Sequence, residues 1–252
     1  MCIIFKEVPD MKKRLKKWCL LSFCILALSL MSTTPALAAN KAVRVKTTFP
    51  ANEGDNDDSQ HVLFGAVQKT KCKATKKMKL SCTVYIPVSA MKDKDDFFSI
   101  DPMVGLEIGK KYYGTIFGKY RVHLQLKNGK PVLYKETDNG LAGKLSASRG
   151  TVKKKKGFYV ITLKKLPLCS WAFSWTPENR IKINTKKKFN LSTYIRILRH
   201  SDRKWTGAVF VDNLKIYASK TLKMTFNKKD YKGVFAYKFV EEEVKATVAV
   251  VK

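Results

Sequence analysis

The strongest constraint on the fold is an alternation of apolar and polar residues with a period of two. Apolar residues recur at every second position over most of "AVRVKTT" (42–48), "MKLSCTVYIP" (78–87) and "WTGAVFVDNLKIY" (205–217). Because successive side chains of a strand point to opposite faces of a sheet, this pattern predicts half-buried β-strands. No long stretch repeats its apolar residues at helical spacing, so we predict an all-β protein.

The alternating segments are short and are separated by clusters of Gly, Asn, Asp and Lys, such as "KNGK" (127–130) and "TDNGLAG" (137–143). Many short strands with turn signals between them are typical of an antiparallel β-sandwich, which is the architecture we expect. The other predicted strands are 61–67, 97–108, 120–127, 131–136, 158–164, 180–184, 193–199, 221–226, 234–240 and 244–251.

The N-terminal 39 residues have the organisation of a secretory signal peptide. A basic segment beginning at Met11 precedes the apolar run "CLLSFCILALSLM", which ends before the small-residue sequence Ala36-Leu37-Ala38. The run is too short to span a bilayer comfortably, so we expect cleavage after Ala38 or Ala39. Residues 1–10 are then an upstream extension.

The mature chain, residues 40–252, is predicted to fold as a single β-sandwich domain, because about 210 residues suffice for one large core. Residues 220–252 are predicted to add C-terminal strands. No later segment is apolar enough to cross a membrane. We therefore expect an exported protein that is secreted or associated with the cell surface.

The chain is strongly basic, with 50 Lys and Arg against 20 Asp and Glu. Six of these basic and two of the acidic residues precede Asn40, so residues 40–252 carry 44 basic and 18 acidic residues, a net charge near +26. Such a charge attracts polyanions. Lysine clusters at 76–77, 153–156, 186–188 and 228–229 fall at or near predicted turns, where they either protect sheet edges or form a basic rim.

Three cysteines lie in the mature chain: Cys72, Cys82 and Cys169. In an oxidising compartment one pair of them is able to form a disulfide, but no spacing resembles a zinc site. Cys82 alternates with Leu80 and Val84, which favours a small buried apolar side chain over a disulfide partner.

Three segments carry a resemblance to a known family. "MKLSCTVYIP", "FYVITLKKLPL" (158–168) and especially "KKKFNLSTYIRILRHSDRKWTGAVFVDNLKIYAS" (186–219) resemble, in order, strands of the galactose-binding-like jelly rolls used as carbohydrate-binding modules by secreted bacterial glycosidases. The resemblance implies a jelly roll that binds polysaccharide. The thirty residues after the last matching strand and the lysine content depart from the family.

The same resemblance implies a structural calcium ion held by Asp212, the acidic residue in the last matching strand. Its partners would be Glu53, Asp55, Asp57 and Asp58 in "EGDNDD", whose hard oxygen donors suit calcium. The alternative is a flexible acidic loop, with Asp212-Asn213 forming a strand bulge.

Sugar binding requires aromatic faces beside hydrogen-bonding side chains. The aromatic candidates are Trp171 and Trp175 in "CSWAFSW", Trp205 in a turn before its strand, and Tyr113 beside Tyr112 in a loop bounded by Gly. Alternation also places Arg121, His123 and Gln125 on one strand face, and Arg196, Leu198 and His200 on another. Trp171 and Trp175 have an alternative role as core residues, and the two histidines as solvent-facing side chains.

Motifs for catalysis or nucleic-acid binding are poor. The sequence lacks a nucleophile-elbow pattern, a zinc-protease pattern and a phosphate-binding loop, and it shows no carboxylate pair suited to glycoside hydrolysis beyond Glu241 and Glu243 in an acidic turn. Basic residues do not interleave with stacking aromatics, so we do not expect nucleic acid as a partner.

We therefore predict a non-catalytic protein that binds a polysaccharide or cell-wall glycan. The contact residues we predict are Trp171, Trp175, Trp205, Tyr113, Arg121 and Gln125. The alternative is a basic cell-surface protein that binds anionic wall polymer or acidic polysaccharide electrostatically, which salt would weaken.

Overall fold

A computed structural model of the 252-residue chain describes residues 41–51, 61–108, 111–173, 180–183, 186–227, 230–237 and 246–251. They form two antiparallel sheets packed as a sandwich, which confirms the predicted fold class. The helical content of these residues is a short 3-10 turn at Val88–Ala90. Within the described ranges, no helix has the length and apolarity needed to cross a membrane.

The strands in chain order are β1 (Ala42–Phe49), β2 (His61–Lys73), β3 (Lys79–Pro87), β4 (Phe97–Ile108), β5 (Lys111–Phe117), β6 (Arg121–Lys127), β7 (Lys130–Thr137), β8 (Gly140–Lys144), β9 (Gly150–Lys155), β10 (Phe158–Pro167), β11 (Trp171–Phe173), β12 (Arg180–Lys182), β13 (Lys188–His200), β14 (Trp205–Tyr217), β15 (Thr221–Met224), β16 (Tyr231–Tyr237) and β17 (Ala246–Val251). The seven-stranded sheet has the order β17-β1-β14-β3-β10-β9, with β15 beside β14. The ten-stranded sheet has the order β12-β11-β5-β4-β13-β2-β16. Its strands β6, β7 and β8 continue from β4, so β5 and β6 pair with different halves of β4.

The core lies between the sheets and is built from the apolar half of each alternation. Val84 and Val211 from the seven-stranded sheet and Ile100 and Ile197 from the ten-stranded sheet belong to one buried cluster and have no solvent exposure. Each such side chain contributes about 1.5–3 kcal/mol through burial. The opposite half of each alternation therefore forms the two outer faces of the sandwich.

The C-terminal strands belong to both sheets. β15 pairs with β14, β16 pairs with β2, and β17 pairs with β1. The segment after Tyr217 thus extends the edges of both layers of the sandwich.

Four strands were not predicted: β5, β8, β9 and β11. The prediction of a loop at Tyr112-Tyr113 is wrong, because both residues lie in β5 and pair with β4. Lys153–Lys155, which the sequence places at or near a turn, form the end of the edge strand β9 and lead directly into the turn at Lys156-Gly157. An edge strand is held by backbone hydrogen bonds and one packed face, so a lysine-rich sequence forms it without a full apolar alternation.

Cys72, Cys82 and Cys169 form no disulfide with one another. Cys72 and Cys82 are buried in the core, which confirms the prediction that Cys82 is a small buried side chain. Burial raises the pKa of the Cys82 thiol to about 12. This thiol is therefore protonated and unreactive at neutral pH.

Candidate binding site on the ten-stranded sheet

Charged and polar side chains from four strands meet on the outer face of the ten-stranded sheet. Ile100 of β4 points into the core, so the next residue, Asp101, points to the outer face. The strand register places Asp101 opposite Arg196 of β13. On the other side of β4, β6 pairs with β7 so that Arg121 lies opposite Glu136. Strand alternation and register alone therefore bring two arginines and two carboxylates to one face.

Two ion pairs join these four side chains. Arg196 donates a hydrogen bond of 2.9 Å to Asp101 Oδ2, and Arg121 Nε lies 3.2 Å from Glu136 Oε1. Ser99 Oγ donates to Glu136 Oε2. His123 Nδ1 lies 3.5 Å from the same carboxylate oxygen, which is long for a hydrogen bond. The carboxylates are thus fixed in position by neighbouring cations and donors.

The two carboxyl groups differ in how easily they ionise. Asp101 is 5 % exposed, and its burial raises its pKa, although Arg196 and Arg121 act in the opposite direction. Burial also acts to raise the pKa of Glu136, but the nearby His123, the hydrogen bond from Ser99 and the charge of Arg121 outweigh it and lower the pKa. The site therefore holds one carboxyl group that resists ionisation beside one that favours it.

A cavity of about 540 Å³ opens above the ion pairs. This volume is in the range of small-molecule binding sites. Its lining includes both ion pairs, Lys119 and Asp138, so three basic residues face three acidic ones. The charge of the cavity is balanced, in contrast to the chain as a whole.

Aromatic rings form one wall of this cavity. Trp171 and Phe173 alternate with the fully buried Ala172 in β11, so both point to the outer face. Their ring centroids are 4.1 Å apart in an edge-to-face arrangement, and Phe117 of β5 meets Phe173 at 5.2 Å. Tyr120 completes the aromatic lining. Half-buried rings therefore lie beside a fixed polar network in this cavity.

The structure brings two of the six predicted contact residues, Trp171 and Arg121, to this cavity. Gln125 lies on the same face, opposite Phe97, but does not line the cavity. Trp175 lies outside the described residues. Arg196, whose alternation with Leu198 was noted in the sequence, also lines the cavity.

Tyr113 and Trp205 lie elsewhere in the sandwich. Tyr113 packs against the core and meets Phe189 edge to face at 5.7 Å. The prediction that Trp205 lies in a turn is wrong, because Trp205 is the first residue of β14. Its ring stacks on that of Phe49, with the ring centroids 6.1 Å apart. Each aromatic side chain is therefore part of the internal packing.

Sequence reasoning missed Asp101, Glu136, Phe117 and Phe173. Asp101 is a carboxylate inside the largely apolar segment "FFSIDPMVG". Asp212 likewise interrupts the apolar residues of its own strand. A charged side chain in an apolar strand is costly to bury unless it is paired. That cost was the available signal, but its partner Arg196 lies 95 residues away in sequence.

Asp212 occupies a bulge on the opposite sheet. β14 carries one extra residue relative to β3 between Asp212, opposite Thr83, and Lys215, opposite Ser81. Asn213 adopts a left-handed conformation with φ of 54° and donates from its backbone to Asp212 Oδ1 at 2.5 Å and from its side chain to Oδ2 at 3.1 Å. The strand bulge considered from the sequence is thus present.

The calcium hypothesis stays a prediction. Asp212 is 1 % exposed, and burial raises its pKa in spite of the hydrogen bond from Asn213. The proposed partners Glu53, Asp55, Asp57 and Asp58 lie outside the described residues. A buried carboxyl group with a raised pKa is one whose ionisation a bound cation would favour.

A second acidic cluster lies at the far end of the ten-stranded sheet, where Asp93, Asp96 and Asp202 bring oxygen atoms within 4.8 Å of one another. Arg203 lies 2.6 Å from Asp93 and 3.1 Å from Asp96. Backbone N–H groups of Lys92 and Asp93 also donate to Asp96. The cluster therefore already has a cation, which is the guanidinium of Arg203.

Fold and site together define a β-sandwich with a charge-balanced, aromatic-walled cavity on one outer face. Compared with models of protein families, with curated proteins and with solved structures, the chain shows no match. The similarity to galactose-binding-like modules therefore rests on the sequence features alone.

Proposed function

We propose that the protein is an exported carbohydrate-binding protein that holds an uncharged stretch of polysaccharide in the cavity of the ten-stranded sheet. The observation that carries the proposal is the placement of Trp171 and Phe173 beside the Asp101–Arg196 and Arg121–Glu136 pairs. Aromatic rings pack against the C–H faces of a pyranose, because the ring face carries negative charge density.

The paired charges suit sugar hydroxyls. A hydroxyl is both donor and acceptor, and an arginine beside a carboxylate offers it both complements at fixed positions. Because the cavity has equal numbers of basic and acidic side chains, it has no net preference for an anionic sugar. We therefore expect recognition that changes little with ionic strength.

The test is a screen of neutral polysaccharides followed by calorimetry on the best ligand with Trp171→Ala. Loss of stacking is expected to cost on the order of 1–2 kcal/mol, or roughly five- to thirty-fold in affinity. Tyr85→Ala is the matched control, since Tyr85 is a half-buried aromatic residue on the outer face of the other sheet. Equal losses in the two variants, or no loss in Trp171→Ala, would place the ligand elsewhere.

Glycoside hydrolysis is a second candidate function, and the carboxyl pair favours it. Asp101 and Glu136 line one cavity and have pKa values displaced in opposite directions, which is the pattern of an acid and a base in glycosidases. We favour binding without catalysis because an arginine engages each carboxylate. Release of reducing ends from the ligand by the wild type, abolished in both Asp101→Asn and Glu136→Gln, would replace binding with hydrolysis.

A further inference from the structure

The seven-stranded sheet is unusual in its charge. Its strands contain a single acidic residue, Asp212, which is buried and bonded to Asn213. The basic residues of the same strands are Arg44, Lys46, Lys79, Lys153, Lys154, Lys155, Lys164, Lys165, Lys215 and Lys223. The positive charge of this sheet is therefore not neutralised within it.

Four of these lysines lie close together on four adjacent strands, and we call them the lysine band: Lys223 of β15, Lys215 of β14, Lys79 of β3 and Lys165 of β10. Lys79 is opposite Tyr217 and is therefore displaced along β3 by two residues from Ser81. Lys215 lies directly opposite Lys223 on one side and opposite Ser81 on the other. The neighbouring residues Leu80, Leu214 and Leu222 are buried in the core. Alternation therefore turns the lysines to the outer face.

Two bulges contribute to the lysine band. β10 has one extra residue between Leu163 and Leu166, and Lys165 within it takes φ of 47°. The Lys165 backbone N–H donates to Ser81 Oγ at 2.7 Å, which holds the bulge against β3. The Lys165 ammonium lies 5.5 Å from the ring centroid of Tyr217. On the other side of β3, the Asp212 bulge precedes Lys215.

This arrangement costs stability in the isolated protein. Like charges directly opposite on neighbouring strands repel, as Lys215 and Lys223 do. Within the described ranges, no member of the lysine band forms an ion pair with a carboxylate. The same face continues to Arg44 opposite Phe210, and to Lys153 opposite Val160 at the sheet edge. Edge protection accounts for β9, but it does not account for lysines on the inner strands β3, β10 and β14.

We propose that the lysine band binds an acidic polysaccharide. The band and the cavity lie on opposite outer faces of the sandwich. Lys223 and Lys215 lie on neighbouring strands, which are about 4.8 Å apart, and Lys165 lies two strands beyond Lys215, so the band presents charges at intervals that suit one charge per sugar or per pair of sugars. Lysine supplies hydrated point charges on flexible stems, which suit a flexible polyanion because they do not require the fixed planar geometry of an arginine fork. The ammonium of Lys165 lies over the ring of Tyr217, the aromatic residue opposite Lys79, which reduces the ring surface open to stacking by bases.

The proposal is independent of the cavity function and makes the two sequence-based hypotheses compatible. A neutral sugar and an acidic one would occupy opposite outer faces of one sandwich. Binding at one face would persist when the other is disabled, so each proposal can fail alone. Polygalacturonate is the probe for the band.

The test measures polygalacturonate binding at 50 and 200 mM salt for a variant in which serine replaces Lys79, Lys165, Lys215 and Lys223. The control variant carries the same change of net charge on the other sheet, where serine replaces the exposed Lys127, Lys130, Lys144 and Lys232. We expect the band variant to lose at least about tenfold in affinity at low salt and to show a salt slope reduced by roughly one ion per lysine. The control is expected to change both quantities little.

Equal losses in the two variants would show that net charge acts without the lysine band, and would overturn the proposal. A band-dependent preference for polyphosphate or single-stranded DNA over polygalacturonate would overturn the partner class. Trp171→Ala is expected to bind polygalacturonate as the wild type does. Lys223→Glu is a single substitution at an exposed position, and we expect it also to weaken polygalacturonate binding. It tests the proposal even if the fourfold variant fails to fold.

Discussion

The two outer faces of the sandwich are built by the same alternation but handle charge in opposite ways. On the ten-stranded sheet, Asp101 and Glu136 are each paired with an arginine beneath a cavity. On the seven-stranded sheet, Lys215 faces Lys223, and the single carboxylate of its strands, Asp212, is buried and accepts hydrogen bonds from its neighbour Asn213. One face therefore carries charges that are paired with one another, and the other carries unbalanced charge.

Under the two proposals, this difference determines where each face would obtain its binding energy. A paired network presents fixed donors and acceptors, so we expect it to recognise shape and hydroxyl pattern with little dependence on salt. Unpaired lysines gain energy only when an anion arrives, and this gain is lost as salt rises. A substitution that breaks an ion pair at the cavity should therefore lower the stability. A substitution that removes the charge imbalance on the lysine face should raise it.

The largest effect is expected from breaking the pair at the cavity floor with Arg196→Met. Asp101 would be left buried without its guanidinium, at a cost of about 2–3 kcal/mol near pH 7; this is below the value for a fully buried pair because Arg196 is 27 % exposed. Urea unfolding measures the loss. A cost under about 0.5 kcal/mol would show that the pair is not a structural part of the site.

The same variant has a defined pH dependence. Burial raises the pKa of Asp101, so its contribution to stability falls as pH rises from the ordinary aspartate range through the raised folded value. Arg196 opposes this fall, and its removal makes the fall steeper. The deficit of Arg196→Met should therefore shrink on acidification. It should also largely disappear in the double variant with Asp101→Asn, measured as a double-mutant cycle.

Glu136→Gln should give a smaller loss with the opposite pH dependence. The lowered pKa of Glu136 means that its contribution is present above the ordinary glutamate range and is lost as pH falls through the lower folded value. Removing the charge beside Arg121 and Ser99 is expected to cost about 1–2 kcal/mol at pH 7. The difference from the wild type should vanish in acid, and a constant difference across pH would contradict the assigned contacts.

Asp212→Asn tests the carboxylate on the lysine face. Burial raises the pKa of Asp212, so the wild type loses stability as pH rises from the ordinary aspartate range, and the variant lacks this loss. We expect Asp212→Asn to gain up to about 1 kcal/mol near pH 7 in the presence of chelator. If calcium binds Asp212, added calcium should raise the melting temperature of the wild type only. Equal responses of the two proteins to calcium would remove Asp212 from any calcium site.

The fold was more predictable from sequence than the site because alternation is local and pairing is not. The period of two in 42–48 and 205–217 predicts strands directly, and it also predicts that Arg121 and Arg196 point outward. The alternation does not predict that β4 lies between β6 and β13. This strand order places Asp101 beside Arg196, and it brings Arg121 to the same cavity. The sequence gives no basis for assigning different roles to Trp171 and Trp205. Packing alone decides that Trp171 lines the cavity and that Trp205 stacks on Phe49.

The smallest expected effect comes from removing the like-charge pair on the lysine face. Lys223→Glu places a carboxylate opposite Lys215, and cross-strand pairs of opposite charge contribute roughly 0.2–1 kcal/mol. The variant should therefore be slightly more stable than the wild type at low salt and equal to it at high salt, by urea unfolding, while binding polygalacturonate more weakly. A gain in stability joined to a loss of binding is what distinguishes charge retained for a partner from charge retained for the fold. A loss of both would mean that Lys223 supports the sheet itself.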